Sequence, residues 1–181
     1  MTTATSGFAV KTSGGTKGIT TADHASNSQW YLVIFPLPLQ QERLETYYDV
    51  QWHTTPLLTV KNKIRWWRDS TTRNITGTVS RSNQVIGGYV AKYGKTTNYT
   101  AGYICSKTIS LAYIPNCKPT FIKVDNTAGY DPLCDYGDSG GPWFLVNNAY
   151  GMTCAKDYYG DAYYMAVNYV SGVGVSVMTS P

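Results

Sequence analysis

Short runs rich in Val, Ile, Thr, Tyr and Trp alternate along this chain with clusters of turn formers, and that pattern leaves it little to fold into except antiparallel β-sheet. The runs fall at residues 7–12, 17–22, 30–35, 48–52, 75–79, 88–93, 99–109, 120–124, 141–146, 149–154 and 162–168. Between them lie Ser13-Gly14-Gly15, Asn126-Thr127-Ala128-Gly129 and Asn147-Asn148, residues that tolerate positive φ or hydrogen-bond their own backbone, as tight turns require. Only residues 40–48 and the C-terminal end have a partly helical character. The spacing suits an antiparallel barrel or sandwich, and two packed barrels are the natural arrangement for 181 residues. The polar stretch 68–84 is the nearest thing to a midline. An N-terminal barrel over 1–80 and a C-terminal barrel over 81–181, packed as one unit, are therefore expected.

Charge and composition exclude some classes of function. The formal charge is +4, yet only 14% of residues are charged, and no basic run is long enough to give a nucleic-acid footprint. The longest apolar segment, 30–39, is broken by Pro36 and Pro38 and falls short of the roughly 18 residues a membrane helix needs. Two distant histidines and the lack of a Cys-x-x-Cys pair give a metal no obvious ligands, and no nucleotide-binding glycine loop occurs, so no cofactor is expected. Cys105, Cys117, Cys134 and Cys154 make an even count, which favours an oxidising, extracellular setting. A secreted monomer is the expectation.

The strongest chemical signal is Gly137-Asp138-Ser139-Gly140-Gly141-Pro142. A hydroxyl held in a glycine-rich turn can meet a carbonyl closely, because the flanking residues lack bulk and reach unusual dihedrals. Attack by Ser139 Oγ would create an oxyanion, and the N–H groups of Gly137 and Ser139 would be placed to receive it. Asp138 reads as a buried structural carboxylate whose partner the sequence leaves open.

A nucleophilic serine needs a base, and there are only two histidines, His24 and His53. His24 ends Ile19-Thr20-Thr21-Ala22-Asp23-His24, a β-branched run entering a polar turn, which would deliver an imidazole to the end of a strand. His53 has no comparable lead-in and reads as an ordinary core or surface histidine. The orienting carboxylate has to accept from imidazole Nδ1–H. Asp49, in Tyr47-Tyr48-Asp49-Val50-Gln51-Trp52, fits best, since a carboxylate inside an aromatic strand must be paired. Asp23 adjoins His24 and would point to the opposite face. Glu42 and Glu45 read as solvated.

These segments resemble the trypsin-like serine peptidases, and among them the bacterial streptogrisin and α-lytic branch. Thr21-Ala22-Asp23-His24 is similar to that family's histidine motif, Asp49-Val50-Gln51-Trp52 to its aspartate strand, and Gly137 to Pro142 to its nucleophile motif. Weaker likeness reaches from Ser6-Gly7-Phe8-Ala9-Val10 through residues 93–100 to 160–177. The resemblance implies an all-β chymotrypsin-like fold of two six-stranded antiparallel barrels with a short C-terminal helix. It also implies a serine endopeptidase acting on protein or peptide substrates through the triad His24, Asp49 and Ser139. In such enzymes the carboxylate next to the nucleophile pairs with a freed N-terminus or with another cation.

The departures matter as well. Ala25, Ala91 and Ala101 stand where the family has cysteines, so those bridges cannot form. By the resemblance, Cys134 lies beside the substrate pocket, and the pairs left are Cys134 with Cys154 and Cys105 with Cys117. The same resemblance walls the first specificity pocket with residues 132–136, including Leu133 and Tyr136, and with Thr153, Cys154, Ala155 and Lys156, with Gly160 at its back. Pro132 and Leu133 stand at the floor, so an apolar or aromatic residue before the cut bond is expected. Asp131, Asp135 and Asp161 are near enough in sequence to reverse this. Lys156 would either favour an acidic side chain or extend into solvent. The alternatives to a peptidase are a silent relative that uses its groove to bind a partner, and an esterase using the same triad.

Overall fold

The alternation read from the sequence becomes antiparallel pairing almost throughout. The computed structural model describes residues 4–31, 34–67, 71–126, 129–130 and 132–181. In the first half lie β1 (Ala9–Lys11), β2 (Lys17–Thr21), β3 (Gln29–Tyr31), β4 (Phe35–Leu37), β5 (Leu39–Glu45), β6 (Tyr48–Thr54), β7 (Lys63–Arg65) and β8 (Thr72–Asn74). Then follow β9 (Gly77–Thr78), β10 (Tyr89–Gly94), β11 (Asn98–Ile109), β12 (Phe121–Asp125), β13 (Pro142–Leu145), β14 (Asn148–Lys156), β15 (Ala162–Ala166) and β16 (Ser176–Val177).

The second half closes on itself. Strands run β13-β10-β11-β12-β15-β14, and β14 pairs back with β13, giving a six-stranded antiparallel barrel. Closure removes both sheet edges; β9 adds to β14 in parallel on the outside. The first half differs from expectation. It is a five-stranded sheet, β16-β1-β2-β6-β5, without ring closure among the described residues. The remaining strands pair off as separate two-stranded ribbons, β3 with β4 and β7 with β8, and so do not extend it. The expected strand at 30–35 becomes the β3–β4 hairpin, with residues 32–33 outside the described set.

Two helical expectations are corrected. Residues 40–48 are mostly strand, because β5 pairs along β6 from Leu39↔His53 to Glu45↔Tyr48. Its run of Gln, Glu and Arg suits an exposed edge strand, and a long partner strand outweighs a weak helical preference. The C-terminal helix is a 3-10 segment, Val167–Val173, ended by Gly174 at φ 72°. Val167, Val170 and Val173 are its buried residues, and that spacing of three matches the three residues per turn of a 3-10 helix. The chain then crosses to pair β16 with β1, Val10 opposite Val177.

Two apolar clusters fill the interior. One includes Phe8, Val50, Trp52, Phe121, Phe144 and Met152 and reaches into both halves of the chain. The other, with Val90, Ile122, Leu133, Trp143 and Tyr164, belongs to the second half. Among the described residues, no helix is long and apolar enough to cross a membrane.

Candidate active site

Ser139 sits in the turn just before β13, and the local backbone explains why that turn needs glycine. Gly137 has φ 99° and Gly140 has φ 83°, a region that side chains strain to enter. A Cβ on Gly140 would also stand 2.3 Å from Thr21 Oγ1 and 2.6 Å from Thr5 O. The turn is pinned from several sides. Asp138 N–H donates to Asp135 O (2.9 Å), Gly140 N–H to Thr153 O (2.8 Å) and Gly141 N–H to Asp138 O (2.8 Å). Behind it, Thr5 N–H donates to Ser139 O (2.9 Å) and Thr5 Oγ1 to Gly137 O (2.7 Å). Among the described residues, no acceptor takes the N–H of Gly137 or Ser139, the two residues of this turn that line the adjoining cleft along with His24.

The imidazole arrives from the turn after β2 and the carboxylate from β6. His24 Nε2 lies 2.8 Å from Ser139 Oγ, and His24 Nδ1 lies 2.7 Å from Asp49 Oδ2. Asp49 is fully buried, while the His24 side chain keeps 27% of its surface. Every lone-pair direction of Asp49 is used. Oδ1 accepts the N–H groups of Asp23 (2.8 Å) and His24 (3.0 Å), and Oδ2 accepts the Tyr113 hydroxyl at 2.7 Å besides the imidazole. Burial alone would raise the Asp49 carboxyl, but the hydrogen bonds and charge of His24 and the Tyr113 hydroxyl outweigh it and hold it below the ordinary value. Burial would likewise depress His24, yet the bond to Asp49 and that residue's charge hold the imidazole above its ordinary value.

Asp138 finds its partner inside the chain. Lys92 Nζ stands 3.0 Å from Asp138 Oδ2, both side chains with no exposed surface. Thr97 Oγ1 donates to the same oxygen at 2.6 Å, and Thr96 N–H to Oδ1 at 2.7 Å. Burial pushes the Asp138 carboxyl up, but Lys92 and these donors outweigh it and keep the carboxyl below its ordinary value. The turn thus holds its shape without a charged N-terminus.

A cleft of about 620 Å³ opens beside Ser139, lined among others by His24, Gly137, Tyr136, Thr153, Cys154, Ala155 and Lys156. Leu133 and Gly160 do not line it: Leu133 is wholly buried in the second apolar cluster, its N–H bonded to Gly160 O at 3.1 Å. Lys156 is exposed at the cleft and pairs its Nζ with Asp135 Oδ1 at 2.7 Å. Asp161 is taken by Lys123 at 2.9 Å, and Asp131 lies outside the described residues. The Asp23 carboxylate makes no hydrogen bond to His24, Asp49 or Ser139, and neither does the ring of His53, whose Nδ1 meets Leu37 O at 2.7 Å. Glu42 and Glu45 are exposed.

The expected disulfides are absent, since all four cysteines are free thiols. Cys105 and Cys117 do not pair: Cys105 Sγ faces Lys123 O, whereas Cys117 Sγ receives Leu111 N–H. Cys134 and Cys154 belong to different apolar clusters, their Sγ atoms directed at Ala155 O and Met152 O. The cysteine argument for an oxidising compartment therefore has no bonded pair behind it. Among the described residues, no group of three or more His, Cys, Asp or Glu converges as a metal ion would need.

Sequence reasoning missed Lys92 and Tyr113. Lys92 occupies a fully buried position in β10, and a lysine inside the otherwise apolar run Tyr89-Val90-Ala91-Lys92-Tyr93 is the one signal that could have marked it. Tyr113 lies in a loop far along the chain and carries no local signal.

No protein-family model and no curated protein sequence matches the chain. Solved structures do. Thermobifida fusca protease A aligns with 97% of this chain and 92% of its own at 21% identity and a TM-score of 0.74. Nocardiopsis protease aligns with 96% and 92% at 20% identity and 0.79, and Cellulomonas bogoriensis chymotrypsin with 97% and 90% at 20% identity and 0.74. At such identities the likeness is one of architecture: the chain has the chymotrypsin-like fold of these bacterial serine proteases.

Proposed function

We propose that the protein is a serine endopeptidase that cuts peptide bonds through an acyl-enzyme on Ser139. The observation that carries this reading is the unbroken line from Asp49 Oδ2 through His24 to Ser139 Oγ, with links of 2.7 and 2.8 Å, ending beside two backbone N–H groups that have no acceptor among the described residues. Ser139 Oγ attacks the substrate carbonyl while His24 Nε2 takes its proton, and Asp49 stabilises the imidazolium. The N–H groups of Gly137 and Ser139 receive the oxyanion. His24 then gives the proton to the leaving amine, and water, deprotonated by the same imidazole, releases the acid and restores Ser139.

The residue before the cut bond is medium or large and apolar or aromatic. Support comes from the pairing of the nearby carboxylates, Asp135 with Lys156 and Asp161 with Lys123. Asp135, the carboxylate among the described residues that line the cleft, is thus neutralised against a cationic side chain, and Lys156 against an acidic one.

A fluorophosphonate probe is expected to label the wild-type protein and not Ser139→Ala. Digestion of a peptide library is expected to yield cuts after apolar or aromatic residues. Folded wild-type protein that takes no label would refute the reading.

A further inference from the structure

Strand β6 presents a polar stripe to the loop that carries His24. Alternation sends Val50 and Trp52 into the apolar core and Asp49, Gln51 and His53 to the opposite face. All three are buried, with 0%, 0% and 1% of their surface exposed. Buried polar groups need partners, and this stripe finds most of them in residues 22–25. Asp49 Oδ1 takes the N–H groups of Asp23 and His24. Gln51 Nε2 faces the carbonyls of Ala22 (2.9 Å), Ala25 (3.2 Å) and Asp23 (3.4 Å). The loop's donors thus rest on one side chain and its acceptors on the next.

The three carbonyls decide which way the Gln51 amide points. An oxygen placed there would face three oxygens with no proton between, so the NH2 group goes to the loop and Oε1 points back along the strand. There it meets His53 Nε2 at 2.7 Å. An amide oxygen only accepts, so this contact is a hydrogen bond when His53 Nε2 carries a proton. His53 Nδ1 faces a second acceptor, Leu37 O, at 2.7 Å. The Nε2–H tautomer serves Gln51 and sets the Nδ1 lone pair against Leu37 O, the Nδ1–H tautomer does the reverse, and the imidazolium serves both contacts.

We propose that Gln51 and His53 are positioning residues for the general base: the Nε2–H of His53 fixes the Gln51 amide, and Gln51 holds the loop carbonyls that set His24 against Ser139. The role rests on the reading of His24 as the base. Misplacing a catalytic group by about 1 Å can cost about 100-fold in rate, so the predicted effect falls on turnover and not on substrate binding.

Nitrogen-15 spectra of the wild-type protein test the first link, with a proton on His53 Nε2 expected; an unprotonated Nε2 would overturn the proposal whatever any variant does. Gln51→Met and His53→Phe test the second link, assayed with a small peptide substrate below their melting temperatures. Expected is a fall in kcat of about 10- to 100-fold with KM within about twofold, and slower fluorophosphonate labelling in parallel. Folded variants with wild-type kcat would overturn this role alone. Wild-type protein inert to the probe would overturn the peptidase reading and this role together. Where a variant does not fold, the wild-type spectrum decides.

Discussion

The Tyr113 hydroxyl donates to Asp49 Oδ2 at 2.7 Å, the same oxygen that His24 Nδ1 holds at 2.7 Å. Its ring also meets the imidazole edge to face, with centroids 5.4 Å apart. Tyr113 comes from the loop after β11 and Asp49 from β6, so the contact ties the two halves of the chain at the relay. Tyr113→Phe keeps the ring and removes the bond. Without that donor the Asp49 charge bears more heavily on the imidazolium, so the His24 pKa rises and the acid limb of the rate profile moves to higher pH. A fall in kcat/KM of about tenfold, equivalent to about 1.4 kcal/mol, is expected from a pH–rate series.

Lys92 and Asp138 are buried as a pair, and removing one partner leaves the other charge uncompensated. Lys92→Met is expected to lower stability by about 3–5 kcal/mol in urea unfolding. Adding Asp138→Asn should recover part of that loss. Equal stabilities of the single variant and the wild type would show that the ion pair does not hold the nucleophile turn.

Asp23 is a source of pH dependence. Burial, then the charges of Glu42 and Asp49, push its carboxyl from 3.8 up to about 7, and its Oδ1 is buried without a partner. Between those values the folded chain holds a proton that the unfolded chain releases, so this group's contribution to stability falls as pH rises through the window. Asp23→Asn is expected to flatten that slope, gaining about 1 kcal/mol at pH 8 once the site's partial exposure is discounted, and nothing near pH 3. Because the Asp23 charge also raises His24, the same variant should shift the acid limb of activity to lower pH.

Free cysteines make a simple test. Thiol titration should find four groups in the unfolded protein, with Cys105, the one exposed thiol, reacting ahead of Cys117, Cys134 and Cys154 in the folded protein. A reductant should leave the melting temperature unchanged. A drop on reduction would point to a bridge.

Local chemistry settled much of this protein in advance. The alternating runs specified strands and the glycine-rich hexapeptide a tight turn around Ser139, because each of these signals lies within a few adjacent residues, and the order of residues 24, 49 and 139 fitted one fold. Gln51 went unmarked and His53 read as an ordinary histidine, although they lie two and four positions beyond Asp49 on one face of its strand. Tertiary structure decided what depends on distant segments meeting. It chose Lys92 as the partner of Asp138, brought Tyr113 onto Asp49, turned residues 39–45 into an edge strand and kept four thiols apart. Pairing energy in a sheet comes from neighbours dozens of residues away, so side chains at such junctions take their roles from contacts that no local window contains.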